Sequence, residues 1–335
     1  MTVYFRPLIS DDPVRPPEAL RIAGGWTWAT HAERIERSEQ GRTMGVIPIG
    51  EVPDGIRRAM GSARADFAGI SLSAPRIMGI LNTTPDSFSD GGQHAALGAA
   101  LARARAMWNE GADVIDVGGE STRPGAATVE SAEEISRVEP VVQALAVEGP
   151  VSIDTRKASV ARAALDVGAS IVNDVSALGF DRQMARVVAD AKAPVVLMHA
   201  QGTPETMQAA PSYGDVLLDV YDDLALHIAR AEDAGIPRTR IMVDPGIGFG
   251  KTLDHNRALL TGISMLHGLG CPILLGASRK RFIGTLSGVD ASADRVSGSV
   301  AVAQAAVAQG VQMVRVHDTL ATKQALTLWQ AARGQ

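Results

Sequence analysis

From Arg76 onward the pattern of apolar and polar positions repeats one unit. A short β-branched apolar run is followed by polar residues or glycine, then by an alanine-rich stretch with helical spacing. The runs are RIMGILN (76–82), ADVIDVGG (112–119), PVSIDT (150–155), SIVNDV (170–175), PVVLMHA (194–200), RIMVDPG (240–246), PILLGAS (272–278) and QMVRVHD (312–318). They are continuous rather than alternating, which predicts strands covered on both faces, as in a parallel sheet. Between two of them Val216, Val220, Leu224 and Ile228 recur every four residues, with Gly235 placed as a stop. Residues 100–108, 159–167 and 298–309 behave likewise. Eight such units in about 260 residues predict an α/β fold, a (β/α)8 TIM barrel with an extra N-terminal segment. A doubly wound open sheet is the alternative arrangement.

In such barrels chemistry gathers at the C-terminal ends of the strands. Here those ends carry Asn82, Asp116, Asp154, Asn173, His199, Asp244, Ser278 with Arg279 and Lys280, and Arg315 with His317. Any one of them alone reads more simply as a loop cap; Asp154, for example, could cap a helix starting near Lys157. Eight strands share one mouth, so together they describe a cavity. Arg315 and His317, two apart, are expected on one strand face. The first strand opens into NTTPDSFSDGG (82–92), too long for a hairpin turn. DPGIGFGKT (244–252) resembles a phosphate loop, but counting back from Gly250 puts Pro245 where the first glycine belongs. Gly246, Gly248 and Gly250 alternate, which excludes G-x-G-x-x-G as well. A tight turn that lets a flat ligand approach the backbone is the better reading.

Composition narrows the field further. Aromatic residues make up 4%, so the core is built from Val, Ile, Leu and Ala. A net charge of −5 argues against nucleic acid or an anionic membrane as a main partner, and the basic SRKRFIG (278–284) sits in a barrel loop. Cys271 is the only cysteine, which excludes an intrachain disulfide and a zinc–thiolate cluster. The N-terminus lacks a signal-peptide pattern and no run of 18 apolar residues occurs, so a cytoplasmic protein is expected.

GILNTTPDSFSDGG (79–92), GGESTRPGA (118–126), SIDT (152–155), VNDVSA (172–177), DPGIGFGK (244–251), GASRKRFIG (276–284) and RVHD (315–318) together resemble the dihydropteroate synthase family. The resemblance runs from Arg76 to the C-terminus, seven motifs in order, with Thr83 where the family more often has valine. It implies a (β/α)8 barrel, usually homodimeric, that joins 6-hydroxymethyl-7,8-dihydropterin diphosphate to p-aminobenzoate and releases diphosphate in folate biosynthesis. Sulfonamides mimic the aminobenzoate. Other pterin barrels, a methyltransferase with a corrinoid partner or a non-catalytic binder, are the alternatives.

The resemblance also implies residue roles. A pterin edge presents an amino group and a ring N–H side by side, and a carboxylate accepts both. That role falls to Asp244, with Asp154 and Asn173 reading other ring atoms, Lys280 on the acceptor atoms, and Met198 and Phe249 in apolar contact. Asn82 is expected to offer a neutral oxygen to Mg2+, which prefers oxygen ligands and substrate phosphates. Arg123, Arg315 and His317 are expected at the diphosphate, and Asp116 near the cationic methylene left behind. Phe88, Ser121, Thr122 and Ser278 are expected around the aminobenzoate. Loops 83–92 and 119–128 are expected to act as lids that exclude water. No nucleophilic side chain is required, because the aniline nitrogen is itself a neutral nucleophile.

Residues 1–75 lie outside the resemblance and are expected to form a separate extension of uncertain structure packed on the 76–335 barrel. Trp26 and Trp28 are spaced as on one strand face, ahead of the apolar MGVIPIG (44–50).

Overall fold

The computed structural model describes residues 2–39, 41–83, 92–121, 128–202 and 211–334, with side chains of the third stretch from residue 96. Its N-terminal part runs β1 (Thr2–Pro7), β2 (Leu20–Arg21), β3 (Trp28–Ala29), β4 (His31–Ser38), β5 (Gly41–Pro48) and α1 (Asp54–Gly61). Strands β1, β4 and β5 form an antiparallel sheet in the order β1-β4-β5. This sheet is tied to the rest of the chain by side chains. The Tyr4 hydroxyl donates to Asp222 at 2.7 Å, the Tyr4 ring meets Tyr221 edge-on at 5.8 Å, and Arg37 pairs with Asp219 at 2.6 Å. The two tryptophans do not share a strand face. β3 starts at Trp28, whose indole N–H donates to the Asp12 carbonyl, whereas Trp26 donates to the Val307 carbonyl.

The barrel follows as β6 (Arg76–Asn82), α2 (Gly92–Asn109), β7 (Val114–Gly118), α3 (Ser131–Leu145), β8 (Val151–Asp154), α4 (Ala158–Asp166), β9 (Ile171–Asp174) and α5 (Met184–Asp190). It continues as β10 (Val195–Met198), α6 (Val216–Asp233), β11 (Ile241–Asp244), α7 (Leu253–Gly262), β12 (Leu274–Leu275), α8 (Arg281–Ser287), α9 (Val296–Val307), β13 (Met313–Val316) and α10 (Thr319–Ala331). Among the described residues eight parallel strands pair in the order β11-β10-β9-β8-β7-β6-β13-β12. The ring closes where Val243 bridges Ile273 and its N–H donates to the Pro272 carbonyl at 3.0 Å. The expected barrel is therefore present, and the open-sheet alternative is excluded.

Helix α6 shows why the spacing was informative. Val216, Val220, Leu224 and Ile228 are all buried against the sheet, and the Asp215 carboxylate caps the first turn by accepting from Leu217 and Leu218. Gly235 follows the helix at φ +90°, a conformation that strains any residue with a Cβ.

Outward-facing strand residues such as Ile115, Ile153, Val172, Leu197 and Val243 pack beneath the helices. Inward-facing ones form a separate apolar layer of Met78, Val114, Ile171, Val196, Met242, Leu274 and Met313. Phe67, Ile70 and Leu72, just ahead of β6, join this layer and plug the N-terminal end of the barrel. Burying each such side chain contributes roughly 1.5–3 kcal/mol.

Candidate active site

Because side chains alternate along a strand, the residue two positions beyond each inward apolar one also faces inward, one layer higher. Stepping up from the apolar Val114, Ile171, Val196, Met242 and Met313, and from the buried Ser152 of β8, gives Asp116, Asn173, Met198, Asp244 and Arg315, and Asp154. Strand register confirms the shared face: Asp154 lies beside Asn173, Met198 beside Asp244, and Asn82 beside Gly118, which in turn lies beside Asp154. The apolar layer is the floor, and the polar layer above it opens to the mouth.

Arg315 is the centre of the polar layer. Its Nε donates to Asp116 Oδ2 at 2.5 Å and its Nη2 to Asp154 Oδ2 at 2.7 Å. Asn173 donates its amide to the same Asp116 oxygen at 3.0 Å. The other oxygen of each carboxylate, Oδ1 of Asp116 and of Asp154, is buried and accepts no hydrogen bond from any described residue. Burial, opposed by Arg315, pushes the Asp154 carboxyl up to about 7. For Arg315, burial works against the charge, but Asp116 and Asp154 outweigh it and hold the guanidinium above its ordinary range.

A second cluster lies across the mouth. Asp244 is buried and accepts from the Gly246 N–H at 2.7 Å through Oδ1. Burial raises its carboxyl above the ordinary range, with Lys280 opposing the shift. Lys280 stands over the Phe249 ring at 4.4 Å and donates to the Ile247 carbonyl. Burial lowers its ammonium to about 8, against the pull of Asp244. The turn between these groups depends on glycine. Gly246 has φ +66°, and a Cβ there would collide with the His199 carbonyl oxygen.

Two further glycines keep the cavity open. A Cβ on Gly118 would lie 3.6–3.8 Å from Asp154 and from Asn82 Oδ1, and one on Gly276 would lie 3.4 Å from Asp244 Oδ2 and 3.9 Å from Arg315. The space those methyl groups would occupy is thus bordered by the same polar groups. Met198 also lines this region, 3.3 Å from the hypothetical Gly246 Cβ.

Arg315 and His317 leave β13 in different directions. Arg315 reaches across to β7 and β8, whereas His317, just past the strand, meets Ser278 Oγ through Nδ1 at 3.0 Å. Ser278 Oγ also accepts from the His317 backbone N–H at 3.2 Å. Asp154 caps no helix: α4 begins after Lys157, and its first N–H, that of Ala158, donates to the Asp181 carboxylate at 2.9 Å. Ser121 is half-buried at the edge of the described residues. Phe88, Thr122 and Arg123, and most of the two expected lid loops, lie outside the described residues.

A mouth lined by three buried carboxylates, an amide, two cations and an apolar wall suits a flat ligand rich in donors and acceptors. Comparison with known proteins identifies the family. The model for pterin binding enzymes matches residues 78–317. The dihydropteroate synthase of Escherichia coli (strain K12) is 48% identical over 269 residues, covering 80% of this chain and 95% of that protein. The chain belongs to the dihydropteroate synthase family of pterin binding enzymes.

Solved structures agree with this assignment. The Xanthomonas albilineans dihydropteroate synthase with 4-aminobenzoic acid superposes with a TM-score of 0.75 at 47% identity, covering 79% of this chain and 96% of that one. The same enzyme in complex with 7,8-dihydropteroate gives 0.73 at 44% identity, with 79% and 96% covered. Within this family site, one pair escaped the sequence reading. Lys251 is buried at the end of the glycine turn with its ammonium 2.9 Å from His199 Nδ1. In sequence Lys251 ends the motif DPGIGFGK and His199 ends a strand, and nothing local joins the two.

Proposed function

We propose that this chain, a transferase of the dihydropteroate synthase family, condenses 6-hydroxymethyl-7,8-dihydropterin diphosphate with p-aminobenzoate to give 7,8-dihydropteroate and diphosphate. The observation that carries the reading is the buried acceptor set: Asp116 Oδ1 and Asp154 Oδ1 have no donor among the described residues, and Asp244 faces them across the mouth. Buried acceptors of this kind are costly unless a ligand supplies donors, and a pterin's ring N–H and amino groups are such donors. Asp244, Asp154 and Asn173 bind the pterin edge, Lys280 its acceptor atoms, and Met198 and Phe249 its faces. On binding, Lys280 exchanges the Ile247 carbonyl for the ligand.

To the diphosphate side we assign the remaining donors of Arg315, which already bonds Asp116 and Asp154, together with His317 and Arg123. Asp116 then steadies positive charge left on the methylene as diphosphate departs. Catalysis is positional and electrostatic. To the aminobenzoate pocket, where sulfonamides compete, we assign Phe88, Ser121, Thr122 and Ser278. Among the described residues no three His, Cys, Asp or Glu side chains are grouped to hold a metal. A metal held mainly by substrate phosphates needs little more than one protein oxygen, and Asn82 Oδ1, beside the side-chain-free Gly118, suits that demand. Bound there, Mg2+ would neutralise charge on the leaving diphosphate.

We further propose a cytoplasmic homodimer, on family resemblance. No helix among the described residues is long and apolar enough to cross a membrane. The decisive experiment is a diphosphate-release assay with pterin diphosphate, p-aminobenzoate and Mg2+. Release dependent on both substrates is expected, and release no greater than background would overturn the reading.

A further inference from the structure

The glycine turn is held by side chains at each successive step. The Ile247 carbonyl accepts from Lys280, and the Gly248 N–H donates to Asn256 Oδ1 at 2.7 Å. The Phe249 carbonyl accepts from Lys251 Nζ at 3.0 Å, and the Gly250 carbonyl from the Tyr213 hydroxyl at 2.8 Å. Of these four partners Lys251 is the most expensive to keep. It is 3% exposed, and its ammonium meets only neutral acceptors: His199 Nδ1 at 2.9 Å, the His199 carbonyl at 3.3 Å and the Phe249 carbonyl. Among the described residues no carboxylate forms an ion pair with it. With Nδ1 accepting, the His199 ring proton sits on Nε2, on the side of Asp223 Oδ2 at 3.7 Å.

A buried ammonium without a carboxylate partner costs stability. Burial, opposed by Asp244, lowers the Lys251 ammonium to about 7. A structural tether for one carbonyl could be made by a neutral donor, as Tyr213 does one residue later. What the ammonium adds is three donors, which join the end of β10 to the turn on which Phe249 is mounted. The Phe249 ring in turn carries the Lys280 head group.

We propose that Lys251 is a positioning residue for the pterin: anchored on His199, it holds the Phe249 carbonyl and thereby fixes the Phe249 ring and Lys280 against the pterin plane. The inference rests on the dihydropteroate synthase reading and names a residue of the same site that touches no substrate. It requires that the effect of Lys251 pass through Phe249.

A double-mutant cycle tests that requirement. Lys251→Met is expected to raise KM for pterin diphosphate about ten-fold, leaving KM for p-aminobenzoate within about two-fold. In a Phe249→Ala background the same substitution should change the pterin KM by less than about two-fold, because the ring it positions is gone. An equal factor in both backgrounds, or an equal rise in KM for both substrates, would overturn the inference. Should Lys251→Met fail to fold, His199→Asn, which removes the imidazole anchor and leaves the ammonium its two carbonyls, is put through the same cycle. A smaller, Phe249-dependent rise in pterin KM is expected; no rise, or one independent of Phe249, rejects the proposal. Wild-type enzyme is assayed alongside, so absence of turnover there would reject the functional reading rather than the role of Lys251.

Discussion

Arg315 and Asp154, 161 residues apart in the chain, meet at 2.7 Å across the barrel mouth, spanning two intervening strands. Through Asp116 the same guanidinium also holds β7, so one cation joins three staves of the barrel. Removing it would leave two buried carboxylates facing each other. Arg315→Met should therefore cost roughly 3–5 kcal/mol of stability, the usual penalty for stranding buried charges, and abolish turnover. Arg315→Lys keeps the charge but loses the fork, so urea unfolding should show a smaller loss. Equal stability of Arg315→Met and wild type would show that the two ion pairs contribute nothing net.

Asp244→Asn should weaken pterin binding by on the order of 2–4 kcal/mol, since an amide replaces a charge-assisted acceptor with a donor facing another donor. Calorimetry with a bare pterin measures this without turnover. Unchanged affinity would remove Asp244 from the pterin site.

The raised Asp154 carboxyl makes a signed prediction about pH. Its ordinary value is 3.8 and its folded value about 7, so the folded protein holds the proton more tightly than the unfolded chain. The stability this contributes is complete below about 4 and is lost as pH rises through about 7. Asp154→Asn imitates the protonated form at every pH. Its stability relative to wild type should therefore rise between pH 5 and pH 8, by on the order of 1–3 kcal/mol across the window, read as a pH-dependent difference in melting temperature. A difference that stays flat, or falls, across this window would show that the folded carboxyl titrates in its ordinary range.

The sequence made much of this site legible because a charged or amide residue inside a buried apolar run is expensive and needs a reason. Asp116, Asp154, Asn173 and Asp244 each stand in such a run, and strand alternation alone puts all four on the inner face. The helices were legible from four-residue spacing, although α9 begins at Val296, two residues before the spacing suggested. Long-range partners were not legible. Nothing local to RVHD says that Arg315 will turn toward β7 and β8 while His317 turns toward Ser278. Nor did Trp26 and Trp28 announce that their indoles would bond to different parts of the chain, because an i, i+2 spacing orients side chains only within a strand. Lys251 escaped notice because its partners are two main-chain carbonyls and a histidine 52 positions away.

Chelation should separate the two ends of the substrate. Removing divalent metal should depress turnover and weaken binding of pterin diphosphate far more than binding of a bare pterin, since the metal is expected only at the phosphates. Calorimetry of both ligands with and without chelator measures the difference. Equal weakening would place the metal elsewhere than beside Asn82.

Gly276→Ala tests the cavity itself. Gly276 has no positive φ, and a Cβ there would lie 3.4 Å from Asp244 Oδ2 and 3.9 Å from the Arg315 Cβ. Those are ordinary contacts, so the folded protein should accept the methyl group with a stability change within about 0.5 kcal/mol. A ligand should not accept it so easily. The methyl group would stand between the carboxylate proposed to read the pterin edge and the aliphatic stem of Arg315, in space that glycine leaves empty. A pterin lying there must shift, and a displacement of about an ångström from a bidentate acceptor is enough to cost roughly ten-fold or more in affinity. The expected result is thus a near-normal melting temperature with weakened binding of bare pterin. Normal pterin affinity in a normally folded Gly276→Ala enzyme would mean that the ring does not lie against Gly276 beside Asp244, and the assignment of the pterin edge to Asp244 would fail.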